Sequence, residues 1–153
     1  MGVRMISNAE FVGTLIDSIG SLNTVTTNKS ITLYDIPAAF DIETSSFYKN
    51  DMKTAIMYEW TFGIGFKKND TFRTLITYGR TWDSFITLLH AVSVILETNP
   101  EKKRLVVYVH NLPYEWQWIR KRFRWTKVFY LDMRKPVYAI TDTGIEFRCS
   151  LKL

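Results

Sequence analysis

The sequence has a single cysteine, Cys149. A lone thiol makes no internal disulfide, and no second Cys or pair of His residues completes a zinc site, so a reducing compartment and no structural metal are expected. Long hydrophobic runs are missing as well. No stretch reaches the roughly 18 apolar residues that a membrane span requires, so a soluble protein without a membrane partner is expected. The opening MGVRMISNAE lacks an apolar signal-peptide core, and Ile6 stands where a myristoylation signal needs Ser or Thr. Neither an internal repeat nor a low-complexity segment interrupts the chain.

What is present is apolar and aromatic. Of 153 residues, 46% are hydrophobic and 15% aromatic, the composition of one globular domain with a sizeable core rather than of a disordered chain. Lys and Arg number 20 against 15 Asp and Glu, a net charge of +5 that is compatible with a polyanionic partner.

Ser7 and Glu10 have capping-box spacing ahead of a stripe of Phe11, Leu15, Ile16 and Ile19, which predicts a short helix over 7–20. The polar SLNTVTTNKS after it reads as a linker. Residues 1–30 are therefore expected to be an N-terminal helix and linker, and 31–153 the main domain. A strand is expected from Ile31 to Phe40, with Pro37 at an edge or at its start. AIMYEWTFGIGF and FRTLITYG, joined by KKND, read as an antiparallel hairpin. Phe85, Leu88, Leu89, Val92, Ile95 and Leu96 have helical spacing, and TNP stops that helix at 98–100. RLVVYVH is a strand of the kind buried on both faces, and it runs into a helix over 111–123 with Pro113 in its first turn. Short strands and a hairpin turn at 141–144 finish the chain. This order suggests an α/β sheet in which the strand at 104–110 lies parallel to the strand at 31–40, bringing their ends to one edge.

AFDIETSSFY places Asp41 and Glu43 two residues apart, hence on one face of a strand. Two such carboxylates repel unless a divalent cation turns repulsion into attraction, and oxygen ligands suit Mg²⁺ or Mn²⁺. Such a pair can hold two metals for phosphodiester hydrolysis. The bland alternative is a polar exit of the strand into its loop. In YVHNLPYEWQW, Asn111 and Glu115 share a helix face, although Asn111 could equally be an N-cap. Tyr114, Trp118, Lys121 and Arg122 alternate rings with charge on one face, while Trp116, Ile119 and Phe123 can pack on the sheet. Rings stack on bases and cations hold phosphates, as single-stranded nucleic acid requires, unless RKRFRW is only a solvated charge run.

DIETSSF resembles the first motif, and HNLPYE the second, of the 3′-5′ exonuclease domain in protein-primed family B DNA polymerases of small phages and linear plasmids; IEFRCSLKL resembles that family's F-R-D-S-L-K segment. The resemblance covers roughly 34–153 and implies a ribonuclease H-like mixed sheet with flanking helices, here a truncated exonuclease domain. It implies that Asp41, Glu43 and Glu115 are the catalytic, metal-binding carboxylates of a two-Mg²⁺ or Mn²⁺ site. It implies that Thr44 contacts the primer terminus and that Asn111, Tyr114 and His110 hold a frayed single-stranded DNA 3′ end, with Tyr108 and Trp118 beside them. Partners would include a terminal priming protein, and the setting the cytoplasm of a bacterial host. Glu115 replaces the family's Asp, and Cys149 replaces the Asp of F-R-D-S. Tyr138 and Asp142 spell the third motif, Tyr-x-x-x-Asp, but at an expected hairpin turn rather than on a helix. The true third motif and the polymerase domain would then lie past Leu153, leaving this chain with little or no activity of its own. Two other readings stand beside this one: an independent nuclease using Asp142 or Asp132, and a non-catalytic module that binds single strands or proteins. Oligomeric state is not legible in the sequence.

Overall fold

The computed structural model describes residues 4–152. Ser7 caps α1 (Asn8–Ser18) by accepting a hydrogen bond from the Glu10 backbone N–H, as its spacing from Glu10 predicts. Before it, β1 (Met5–Ile6) pairs in parallel with β6 (Thr71–Gly79) at one edge of the sheet. The stretch expected to be a linker instead holds β2 (Thr24–Thr26), which pairs antiparallel with β3 (Thr32–Tyr34), the first part of the strand expected over 31–40, and the pair attaches to the start of β7 (Lys103–Val109). Their Thr and Val residues suit strands, and the TNKS turn between them closes on the Thr27 carbonyl.

Two long strands form the centre. β4 (Ala38–Lys49) pairs along its whole length with β5 (Met52–Lys68), and β6 continues the meander. Pro37 lies just before β4, where its missing N–H costs no ladder bond, and its carbonyl accepts from Gly65 N–H at 2.9 Å. Both hairpins turn on the same tripeptide, Lys-Asn-Asp, at 49–51 and 68–70. Asn50, Asp51, Asn69 and Asp70 all have positive φ, between 51° and 64°, the left-handed region that Asn and Asp tolerate and that two-residue hairpins require.

Thr81 caps α2 (Trp82–Leu96), which crosses over to β7; β7 then pairs in parallel with β4 at Ala39 and Tyr108, as the sequence predicts. α3 (Leu112–Ile119) follows, then β8 (Trp125–Asp132), β9 (Lys135–Thr141) and β10 (Ile145–Cys149). β10 returns parallel to β7, giving the sheet order β1-β6-β5-β4-β7-β10-β9-β8. The result is a mixed parallel and antiparallel α/β sheet with flanking helices.

Pairing places Phe40 opposite Phe62 and Ile42 opposite Trp60 on one sheet face. There they join Phe11 and Leu15 of α1, Phe85 and Leu89 of α2, and Leu112 and Ile119 of α3 in one buried cluster. Phe40 stacks on Phe85 with centroids 4.4 Å apart and meets Phe147 edge-on at 5.9 Å. Burying Phe11 and Leu15 in this cluster is worth roughly 3–6 kcal/mol together, enough to fix α1 against α2 and β6. Ile16 and Ile19, expected on the same stripe, stay exposed.

Candidate functional site

Asp41 and Glu43 do not end their strand. β4 runs six residues beyond Glu43, to Lys49, because the Lys-Asn-Asp turn lets β4 and β5 zip past the sheet as a two-stranded ribbon. The two carboxylates therefore sit inside a strand, exposed on the face opposite Phe40 and Ile42. A bulge after Glu43 shifts the register, so Glu43 faces Glu59 while Thr44 faces Met57. Glu59, a third acid beside the pair, was not legible from the sequence, since its position depends on that bulge.

Parallel pairing of β4 with β7 brings His110 and the start of α3 beside Asp41. A groove of about 520 Å³ follows, lined by Asp41, Thr61, Tyr108, His110 and Ser150. Its floor is shallow because Ala39 and Gly63 carry little or no side chain; a Cβ on Gly63 would lie 3.3 Å from Ile76. The Ser150 hydroxyl and the Cys149 thiol both point to the His110 carbonyl, at 3.5 and 3.8 Å, so the end of β10 closes one side.

Across the edge, Thr44 Oγ1 and Tyr114 Oη share a hydrogen bond of 2.5 Å that ties β4 to the first turn of α3. Asn111 stands at the N-cap, where its carbonyl accepts from the Tyr114 and Glu115 N–H groups, but its side chain makes no capping bond. The N-cap role open to its amide is thus not used. Glu115 is 5% exposed, and its Oε2 is buried with no hydrogen-bond partner. Burial pushes its carboxyl up to about 7, the nearby Asp41 charge adds to this, and a bond from its own backbone N–H works the other way. Asp41 and Glu115, far apart in sequence, are therefore electrostatic neighbours.

Several other expected site residues differ. α3 ends at Ile119 instead of running to 123: Arg122 N–H closes a turn on the Ile119 carbonyl, and the Trp125 indole takes the Arg120 carbonyl. Lys121 and Arg122 consequently lie beyond the helix and do not continue the Tyr114 and Trp118 face. Arg122 stacks over the Trp82 ring at 4.9 Å, which engages its guanidinium on α2. Trp118 is half-buried and Lys121 exposed. Trp116 and Ile119 are buried and Phe123 half-buried, the packing face expected of them. Asp142 is exposed in the turn between β9 and β10, as expected, and its N–H bonds the Arg124 carbonyl. That turn adjoins Ile145, which pairs with Leu105 near the start of β7, so it lies at the opposite edge of the sheet from His110. Asp132 sits at the β8–β9 hairpin end, 3.9 Å from Lys135.

Among the described residues no three His, Cys, Asp or Glu side chains converge as a metal-holding group. No helix among them is long and apolar enough to cross a membrane. Comparison with protein-family models, with curated proteins and with solved structures finds no match.

Proposed function

We propose that the chain carries the N-terminal part of a protein-primed DNA polymerase, with most of its 3′-5′ exonuclease domain on a ribonuclease H-like sheet. The observation that carries this reading is the Glu115 carboxyl on α3, whose Oε2 is buried with no hydrogen-bond partner and which feels the charge of Asp41 on β4. The strand order supports it: an antiparallel meander β6-β5-β4, with β7 parallel to β4 and β10 parallel to β7. The Thr44–Tyr114 bond supports it too, since it joins the two sequence motifs.

The donor set fits Mg²⁺ or Mn²⁺. An orphaned carboxylate oxygen beside a second carboxylate is relieved by a hard cation with oxygen ligands, and Asp41 with Glu115 would hold it, Glu43 lying along the same strand face. When bound, such an ion activates a water and stabilises the leaving oxygen of a phosphodiester. In this reading Tyr114 and Thr44 form a clasp for the terminal nucleotide, and His110 and Tyr108 line its path in the groove. In this reading Asp142, at the opposite edge of the sheet from His110, supplies no third carboxylate to the groove, so little hydrolysis is expected of residues 1–153 alone.

One observation favours a second reading, a non-catalytic single-strand-binding module: the described carboxylates do not form a complete metal-holding group. Titration with Mn²⁺ and a single-stranded oligonucleotide separates the two. The exonuclease reading expects Mn²⁺ to raise Tm and tighten oligonucleotide binding, with both effects lost in Asp41→Asn. Binding that ignores EDTA and survives that substitution would sink it in favour of the module.

A further inference from the structure

A second pocket, of about 840 Å³, opens between α3 and the β8–β9 hairpin, lined by Trp116, Gln117, Arg120, Tyr130, Met133 and Arg134. Its volume is in the range of small-molecule sites. Successive helix residues diverge by about 100°, so Trp116, Gln117 and Arg120 leave α3 on a different side from Tyr114, which bonds Thr44 of β4. The pocket is thus distinct from the Asp41 groove.

Its chemistry is specific. No acid lines it, while two guanidiniums do, and among the described residues neither Arg120 nor Arg134 has a carboxylate partner within salt-bridge distance. The planar fork of Arg matches phosphate oxygens in pairs. Two aromatic rings supply the opposite character: Trp116 packs on Trp125 at 4.7 Å, and Tyr130 stands edge-on to Trp116 at 6.5 Å. Trp116 is held rigid in this way, whereas Tyr130 is 45% exposed and free to offer a ring face. Gln117 adds an amide that both donates and accepts. Arg120 at the C-cap of α3 suits the helix dipole and needs no ligand to account for it. Arg134 has no such reason. It occupies the β8–β9 turn at φ 62°, where Gly or Asn would be less strained.

We propose that this pocket binds a nucleotide, its base on the exposed ring of Tyr130 beside the buried Trp116 and its phosphate between Arg120 and Arg134. The same chemistry is offered by a free mononucleotide and by the phosphorylated end of a strand. The site needs no metal and does not depend on the exonuclease reading.

Calorimetry and tryptophan fluorescence with EDTA present test it, using dAMP, adenosine, inorganic phosphate and a 5′-phosphorylated oligothymidylate as probes. Binding of dAMP should quench tryptophan emission. Adenosine and phosphate should each bind at least about tenfold more weakly, because each lacks half of the recognised groups. The exposed Arg120→Gln/Arg134→Gln double variant should weaken dAMP about tenfold or more with an unchanged circular dichroism spectrum. Tyr130→Ala should weaken it as well, and Asp41→Asn should leave it unchanged. An oligonucleotide binding as tightly as dAMP identifies a strand end as the ligand, and a much weaker one identifies the free nucleotide; both support the pocket. Equal binding of adenosine, phosphate and dAMP would overturn the proposal. So would undiminished dAMP binding in the arginine variant, or its loss in Asp41→Asn, which would assign the signal to the groove and not to this pocket.

Discussion

Thr44 Oγ1 and Tyr114 Oη lie 2.5 Å apart, and through this contact a strand and a helix distant in sequence hold one edge of the groove together. The pair is partly solvent-accessible, so it is a modest stabiliser and a geometric tie. Thr44→Val and Tyr114→Phe should each lower stability by about 0.5–1.5 kcal/mol. The double variant should lose little more than either single one, a coupling that urea denaturation of all four proteins measures directly. Additive losses would show that the hydroxyls do not interact in solution.

Glu115 sets a pH dependence whose sign follows from its burial. Its carboxyl is raised from the ordinary 4.5 to about 7, so the folded protein keeps a proton that the unfolded chain gives up. The stabilising contribution is fully present below about 4.5 and is lost as pH rises through about 7, up to about 3 kcal/mol in all. Glu115→Gln should remove this slope and be the more stable protein at pH 8 without metal. Denaturation midpoints at pH 5, 6, 7 and 8 for both proteins check it; parallel profiles would refute the assignment.

Metal binding should run against that proton. If a divalent cation takes the Glu115 carboxylate, its affinity rises from pH 6 to pH 8 and proton release accompanies binding near pH 7. Calorimetry in buffers of different ionisation enthalpy reads the released proton. Removing the metal with EDTA should lower Tm at pH 8 more than at pH 6, and a pH-independent effect would place the cation elsewhere.

Gly144 has φ 90°, and a Cβ there would stand 2.6 Å from the Asn99 backbone nitrogen. Strain and a collision with main chain combine, so Gly144→Ala should cost at least about 2 kcal/mol. Because this turn joins β9 to β10, thermal denaturation should show the loss without any change in the Asp41 groove.

Glu97 caps α2 in the left-handed region at φ 53°. Glycine enters that region without a Cβ penalty, so Glu97→Gly should raise stability by about 0.5–1 kcal/mol. A fall in Tm would mean that the Glu97 side chain contributes something its backbone geometry does not reveal.

The helices and most strands were legible because their signals are local. Ser7 and Glu10 announce α1, the Phe85 to Leu96 stripe announces α2, and TDTG marks the turn before β10. The β4–β5 turn had a signal too, since YKND repeats the Lys-Asn-Asp of the KKND turn, yet the polar run after Glu43 hid it. The end of α3 carried no such mark, because it is set by the reach of Trp125 to the Arg120 carbonyl from the following strand.

Sequence alone determined which residue types are available: alternation put Asp41 and Glu43 on one strand face, and helical spacing put Trp116 and Ile119 on another element's core side. Tertiary structure decided which of them meet. Parallel pairing of β4 with β7 set Asp41 beside Glu115 and Thr44 against Tyr114, and folding the β8–β9 hairpin back towards α3 brought Arg134 within one pocket of Arg120. The physical reason is that charge interactions and desolvation depend on distances in space, which strand register, bulges and turn geometry fix only when the whole sheet is assembled.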